Sequence, residues 1–173
     1  MKPTLKDIYD QFGVMVYNMC LNYLQQREEA EEATQDVFLK VHQNLERFNE
    51  GSELKTWIYR IAINQCLDVL RSRKRKYALK IVFSKSFPKE LHSVEFYHPG
   101  VALENKEAMA EIFTCINQLP ENQKTVILLK VMEDLPQKEI AQVMEMSEKA
   151  VESLLSRART NLKKRLNPAK DNM

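Results

Sequence analysis

Three glycines and six prolines are all that interrupt 173 residues. They stand at Pro3, Gly13, Gly51, Pro88, Pro99, Gly100, Pro120, Pro136 and Pro168. The long stretches between them repeat apolar residues every three or four positions, which stacks those side chains along one face of a helix. No run alternates apolar and polar residues as a half-buried strand does. The pattern dictates an all-α fold of two small helical domains joined by a flexible linker.

A first helix is expected over about 5–26, with Leu5, Ile8, Tyr9, Phe12, Val16, Met19, Cys20 and Tyr23 facing the core. A second spans about 28–48, with a core stripe of Ala30, Ala33, Val37, Phe38, Val41, Leu45 and Phe48. A third runs from near Glu53 to about Arg75. Together they make a compact domain over 1–76. Residues 77–104 mix serines, prolines and Gly100 with isolated aromatics and are expected to be a linker with at most a short helix. A second domain covers 105–167, divided into four helices by Leu119-Pro120 and Leu135-Pro136 among its breaks. Residues 168–173 form a tail.

The net charge of +2 conceals a block pattern. Residues 27–53 carry 3 bases and 8 acids, and 71–89 carry 8 bases and no acid. Residues 90–148 are acidic again, and 149–170 carry 7 bases and 1 acid. Two cationic blocks separated by an acidic one imply two polyanion-binding surfaces. Other classes drop out. No apolar run approaches the roughly 20 residues that span a bilayer, and MKPTLKDIYD lacks a signal-peptide core. Cys20, Cys66 and Cys115 are widely spaced and are expected to be buried thiols in a reducing cytosol. His42, His92 and His98 are scattered, and HExxH, GxSxG and a glycine-rich phosphate loop are absent. No catalytic residue, metal ligand or cofactor is expected.

The segment QKEIAQVMEMSEKAVESLLSR, residues 137–157, spaces Ile140, Ala141, Met144, Met146, Val151 and Leu154 as a helix-turn-helix does. Ala141 is small where the two helices would cross, and Ser147 is placed to cap the second. Glu145 stands where glycine commonly takes the left-handed conformation, at a cost of roughly 1 kcal/mol. At about 100° per residue, Val151, Leu154, Leu155, Ala158 and Leu162 share one side of the second helix. Lys149, Ser153, Ser156, Arg157, Thr160 and Lys164 share the other. Short polar groups admit close approach to base edges, while cations neutralise phosphates. The plainer reading, a solvated amphipathic helix, would show alternating charge signs.

In the first domain, FNEGSELKT is a polar loop leading into a helix that buries Ile58, Ile61, Ala62 and Val69. Arg60, Asn64, Asp68 and Arg71 recur along another face, and the helix ends in RSRKRK. Such a stripe suits contact with DNA bases and backbone. Trp57 and Tyr59 could flank an unstacked base, a contact worth about 1–3 kcal/mol, or Trp57 could simply pack in the core. Opposite the core stripe of the second helix lie Glu32, Gln35, Asp36, Gln43 and Glu46 around Leu39. A leucine ringed by acids and amides reads as a docking surface for a basic partner helix, with plain solvation as the alternative.

AEEATQDVFLKVHQNLERF, SELKTWIYRIAINQCLDVLRSRKRK, INQLPENQKTVILLK and KEIAQVMEMSEKAVESLLSRARTNLKKRL follow one another in the order and spacing of a bacterial extracytoplasmic-function (ECF) sigma factor. The chain resembles that group over nearly its whole length. The resemblance implies a factor that binds core RNA polymerase and directs initiation at promoters. The minus-ten element would be bound by Phe48, Asn49, Ser52, Lys55, Trp57, Arg60, Asn64, Arg71, Arg73 and Lys74, with a flipped-out base in the loop 48–56. The minus-thirty-five element would be read by Ser147, Lys149, Ala150, Glu152, Ser153, Ser156 and Arg157. Glu152 faces phosphate unfavourably and would instead accept from a cytosine amino group. Glu32, Gln35, Asp36, Leu39 and Gln43 would dock on the β′ clamp helices, and the region around Leu119–Met132 on the β flap. The implied protein is a cytoplasmic monomer when free, makes no membrane contact, is regulated by an anti-sigma factor and catalyses nothing itself. Two other readings stay open on residues alone. A helix-turn-helix repressor or activator would need one DNA surface and not the Arg71–Lys76 cluster. A helical adaptor would bind no DNA at all.

Overall fold

The computed structural model describes residues 3–48, 53–84 and 105–167. They contain helices and turns and, among the described residues, no strand. The chain divides into two compact units, Met1–Tyr97 and His98–Met173.

In the first unit, α1 (Leu5–Leu24), α2 (Arg27–Asn44) and α3 (Leu54–Ser84) pack pairwise around one core. The first helix opens with a capping box. Thr4 Oγ1 accepts from the Asp7 backbone N–H at 3.2 Å, and Asp7 accepts from the Thr4 backbone N–H at 2.9 Å. The Thr4 hydroxyl also donates to the Asp7 carboxylate at 2.6 Å, and that bond, with the one from the Thr4 backbone N–H, holds the Asp7 carboxyl below its ordinary value. Gln25 ends α1 in the left-handed region at φ 59°, and its amide donates to the Leu21 and Asn22 carbonyls, so the turn into α2 closes tightly. Ile8, Val16, Met19, Val37, Val41, Ile58 and Ala62 are fully buried. Cys20 and Cys66 lie in this core, and the thiol of Cys66, hydrogen-bonded to Cys20, lowers the latter's pKa against the opposing effect of burial.

Two expectations need correction here. Tyr9 is not core: it is 55% exposed, held edge-on to Phe38 with ring centroids 4.8 Å apart. The third helix does not stop near Arg75 but continues to Ser84. Nothing between Arg75 and Pro88 breaks a helix, and the run Tyr77-Ala78-Leu79-Lys80 propagates one. The expected linker therefore begins as helix, while 85–104 and the tail 168–173 lie outside the described residues.

The second unit contains α4 (Lys106–Asn117), α5 (Glu121–Ile127) with a π-helical turn Leu128–Met132, α6 (Gln137–Met144) and α7 (Glu148–Leu166). The last helix packs on α4, α5 and α6. Phe113, Val126, Leu128, Leu129, Ile140, Val151, Leu155 and Ala158 form the core. Cys115 is buried as well, as expected of the third thiol. Lys124 is buried, and its ammonium donates to Asn117 Oδ1 at 2.7 Å.

The joint between α6 and α7 follows the sequence closely. Ser147 caps α7, its Oγ accepting from the Ala150 N–H at 3.1 Å. Glu145 sits at φ 54°, ψ 45°, the left-handed geometry that favours glycine. Glu145→Gly is expected to raise stability by up to about 1 kcal/mol, less the added entropy of the unfolded chain. A thermal melt checks this: the midpoint rises by a few degrees, and a fall would mean that the Glu145 side chain stabilises more than its backbone strains.

Candidate nucleic-acid interface

The two faces of α7 separate as its periodicity requires. Val151, Leu155 and Ala158 are buried, with Leu154 and Leu162 half-buried. Lys149, Ala150, Glu152, Ser153, Ser156, Arg157, Thr160 and Lys164 are exposed, as is the cap Ser147. Arg157 folds back on Ser153: Nη2 donates to Ser153 Oγ at 3.3 Å and Nε to its carbonyl at 3.4 Å. The guanidinium is thereby presented from a defined rotamer. Behind the face, Asn161 donates to Gln123 at 2.8 Å and Arg165 to Gln118 at 2.7 Å, fixing α7 on the helices beneath it. The result is an exposed helix face of short polar groups and cations, with Glu152 among them, of the kind that enters a major groove.

In the first unit, Phe48 and Trp57 meet across the start of α3, centroids 4.8 Å apart and planes tilted by 37°. Both are half-buried, so each ring keeps part of its surface open. Asn49 and Ser52 lie outside the described residues. Lys55 is half-buried with its ammonium 5.9 Å over the Tyr59 ring. Tyr59 is only 2% exposed, which removes it as a flank for an unstacked base: one residue on from Ile58, it still falls within the buried arc of α3. Along the expected stripe Asn64 is exposed and Arg60 half-buried, and Arg71 is exposed with Asp68 3.6 Å from it. Lys74 is exposed.

Arg73 departs from the expected set. Its guanidinium turns inward, pairing with Glu29 of α2 and donating to the Leu24 carbonyl at 3.3 Å. It braces α3 against the α1–α2 turn, with its side chain about one third exposed.

The acidic face of α2 is exposed at Glu32, Gln35 and Gln43, and Leu39 stands out at 58% exposure. Asp36, at its edge, is half-buried. It accepts from Gln65 Nε2 at 2.7 Å, while Gln65 Oε1 accepts from Lys40 Nζ at 2.5 Å. Sequence reasoning missed Gln65. A buried amide that donates to a carboxylate and accepts from an ammonium one helical turn away locks α2 onto α3. The one available signal was an Asp and a Lys four apart on the flank of the core stripe.

The chain matches the models for Sigma-70 region 2 over residues 8–76 and for Sigma-70, region 4 over 109–162. The Pseudomonas aeruginosa RNA polymerase sigma-H factor is 30% identical over 156 residues, spanning 88% of this chain and 81% of that one. The chain belongs to the ECF sigma factors. Another relative, the Bacillus subtilis ECF sigma factor SigW, is 29% identical over 164 residues, covering 92% and 87% of the two chains. In fold, this ECF sigma factor is similar to the sigma factor RpoE of Bartonella quintana, solved with its anti-sigma factor NepR. That structure gives a TM-score of 0.69 at 21% identity, covering 95% of this chain and 99% of that one. Region 2 coincides with α1–α3 up to Lys76, and region 4 with α4–α7. Such factors direct RNA polymerase to promoters. No helix among the described residues is long and apolar enough to cross a membrane.

Proposed function

We propose that the two units divide the labour of promoter recognition between them. Region 2 binds the minus-ten element through Arg60, Asn64, Arg71 and Lys74. The loop 48–56 receives a base extruded from the non-template strand. Extrusion costs a few kcal/mol, which stacking against Phe48 and Trp57 helps to offset. Region 4 lays α7 in the major groove of the minus-thirty-five element, with Lys149, Ser153, Ser156 and Arg157 on base edges and phosphates. Glu152 accepts from a cytosine amino group. The observation that carries this reading is the segregation of α7, whose exposed face holds serines, cations and the single acid Glu152 while every core position of the helix is at least half-buried.

The outer face of α2, with Leu39 at its centre and Glu32, Gln35, Asp36 and Gln43 around it, docks on the β′ clamp helices of core polymerase. The segment Leu119–Met132 meets the β flap. The factor acts in the cytoplasm, is a monomer when free, and is held in check by an anti-sigma factor that occludes these surfaces. Mixing the purified chain with core polymerase on a sizing column tests the reading. Co-elution at equal stoichiometry is expected, and elution at the position of the free chain would favour a regulator that acts without replacing a sigma factor.

A further inference from the structure

Gln65 stands where the packing of α3 calls for an apolar side chain. Ile58, Ala62 and Gln65 follow one another at spacings of four and three, so they share the inner stripe of the helix. The first two are fully buried and Gln65 is 7% exposed. Burying an amide costs stability unless both its polar atoms find partners. Here both do. Nε2 donates to the Asp36 carboxylate at 2.7 Å, and Oε1 accepts from Lys40 Nζ at 2.5 Å. Asp36 and Lys40 lie one turn apart on α2. A carboxylate only accepts and an ammonium only donates, so the amide fits between them in a single orientation.

We propose that Gln65 is a positioning residue for promoter recognition, holding α3 in the one register on α2 at which Asn64 and Arg60 meet the minus-ten bases. The proposal rests on the minus-ten reading of α3. The apolar side chains that the two helices bury, Val37 and Val41 from α2 and Ile58 and Ala62 from α3, attract without direction and tolerate a small slide or roll of one helix on the other. Two hydrogen bonds to oppositely charged groups one turn apart resist both movements. Asn64, the neighbour of Gln65 in the chain, is exposed, and Arg60 lies one turn before it. A roll of α3 displaces the pair together. Gln65 meets no DNA itself, because its amide is buried and engaged by α2. Its effect is therefore on discrimination between sequences and not on the strength of polymerase binding.

The test uses Gln65→Met in the full-length chain, assembled with purified core polymerase. Methionine keeps the unbranched length of glutamine and removes both hydrogen bonds. Affinity is measured for fork-junction DNA carrying the minus-ten element of the promoter upstream of the chain's own gene, and for the same DNA with that element substituted. Both titrations are run well below the melting midpoint. Core affinity is expected to stay within about twofold of wild type, while the preference for the intact element falls about fivefold or more. A purely structural role predicts the reverse, a lower melt with wild-type preference among folded molecules. Preference within about twofold of wild type therefore overturns the proposal. Gln65→Glu keeps the bond from Lys40 but sets two carboxylates together. It is expected to show the same loss, and it serves in place of Gln65→Met should that variant melt too low to titrate. Asn64→Ala separates the two readings. If it loses the preference while Gln65→Met keeps it, Gln65 is not a positioning residue. If Asn64→Ala keeps it as well, the minus-ten reading of α3 fails first and the proposal falls with it.

Discussion

Leu39→Asp is expected to leave the fold intact and to abolish binding to core RNA polymerase. Leu39 is 58% exposed and contributes nothing to the core of the first unit, so the new carboxylate stays in water and stability changes by no more than about 0.5 kcal/mol. At the polymerase surface the balance differs. A leucine centred in a ring of polar side chains has the arrangement of an interface anchor, and losing such an anchor costs about 2–4 kcal/mol. That is a weakening of roughly 30- to 1,000-fold. Burying an unpaired carboxylate in its place adds to the loss. Titration of labelled chain with core polymerase reads the affinity, and a melt run alongside reports the fold. Full affinity with an unchanged melt would move the docking surface off α2.

Arg157→Ala is expected to weaken duplex binding at the minus-thirty-five element by roughly 1–3 kcal/mol, about 5- to 150-fold. The residue is exposed and pre-oriented by its bonds to Ser153, so little side-chain freedom remains to be lost on binding. Two ways of acting are separable. A base contact makes the loss sequence-dependent, large on the cognate element and small on scrambled duplex. A phosphate contact weakens all sequences alike and lowers the salt slope by about 1. Because the variant removes only exposed atoms, its melt should match the wild type. No loss on cognate DNA, with polymerase present, would place the recognition face elsewhere on α7.

Much of this architecture was legible in the sequence. A 3.6-residue period assigns faces, and α7 obeys it at every position from Lys149 to Lys164. The Ser147 cap and the left-handed Glu145 follow equally from local rules, because each depends on neighbours within a few residues. What escaped depends on partners far along the chain. Arg73 belongs by composition to a basic cluster, yet Glu29 of α2 draws it inward. Gln65 looks like any helical glutamine until α2 brings Asp36 and Lys40 to its two ends, 29 and 25 residues away. Aromatic residues at the edge of a stripe are ambiguous for a related reason. Tyr9 and Tyr59 both have an apolar ring and a polar tip, and only the packing decides that the first is exposed and the second buried. The continuation of α3 past Arg75 was obscured because a dense cationic run resembles a helix end, whereas no Gly or Pro interrupts the residues that follow.

This chain supplies promoter recognition to a polymerase that lacks it. Run-off transcription with purified core polymerase, on a template carrying a promoter upstream of the chain's own gene, puts the claim to its most direct test. A discrete transcript is predicted only when the chain is added, and it should vanish with Leu39→Asp. Transcription that is indifferent to the chain, or repressed by it, on every template that binds it would mean that the chain is not a sigma factor.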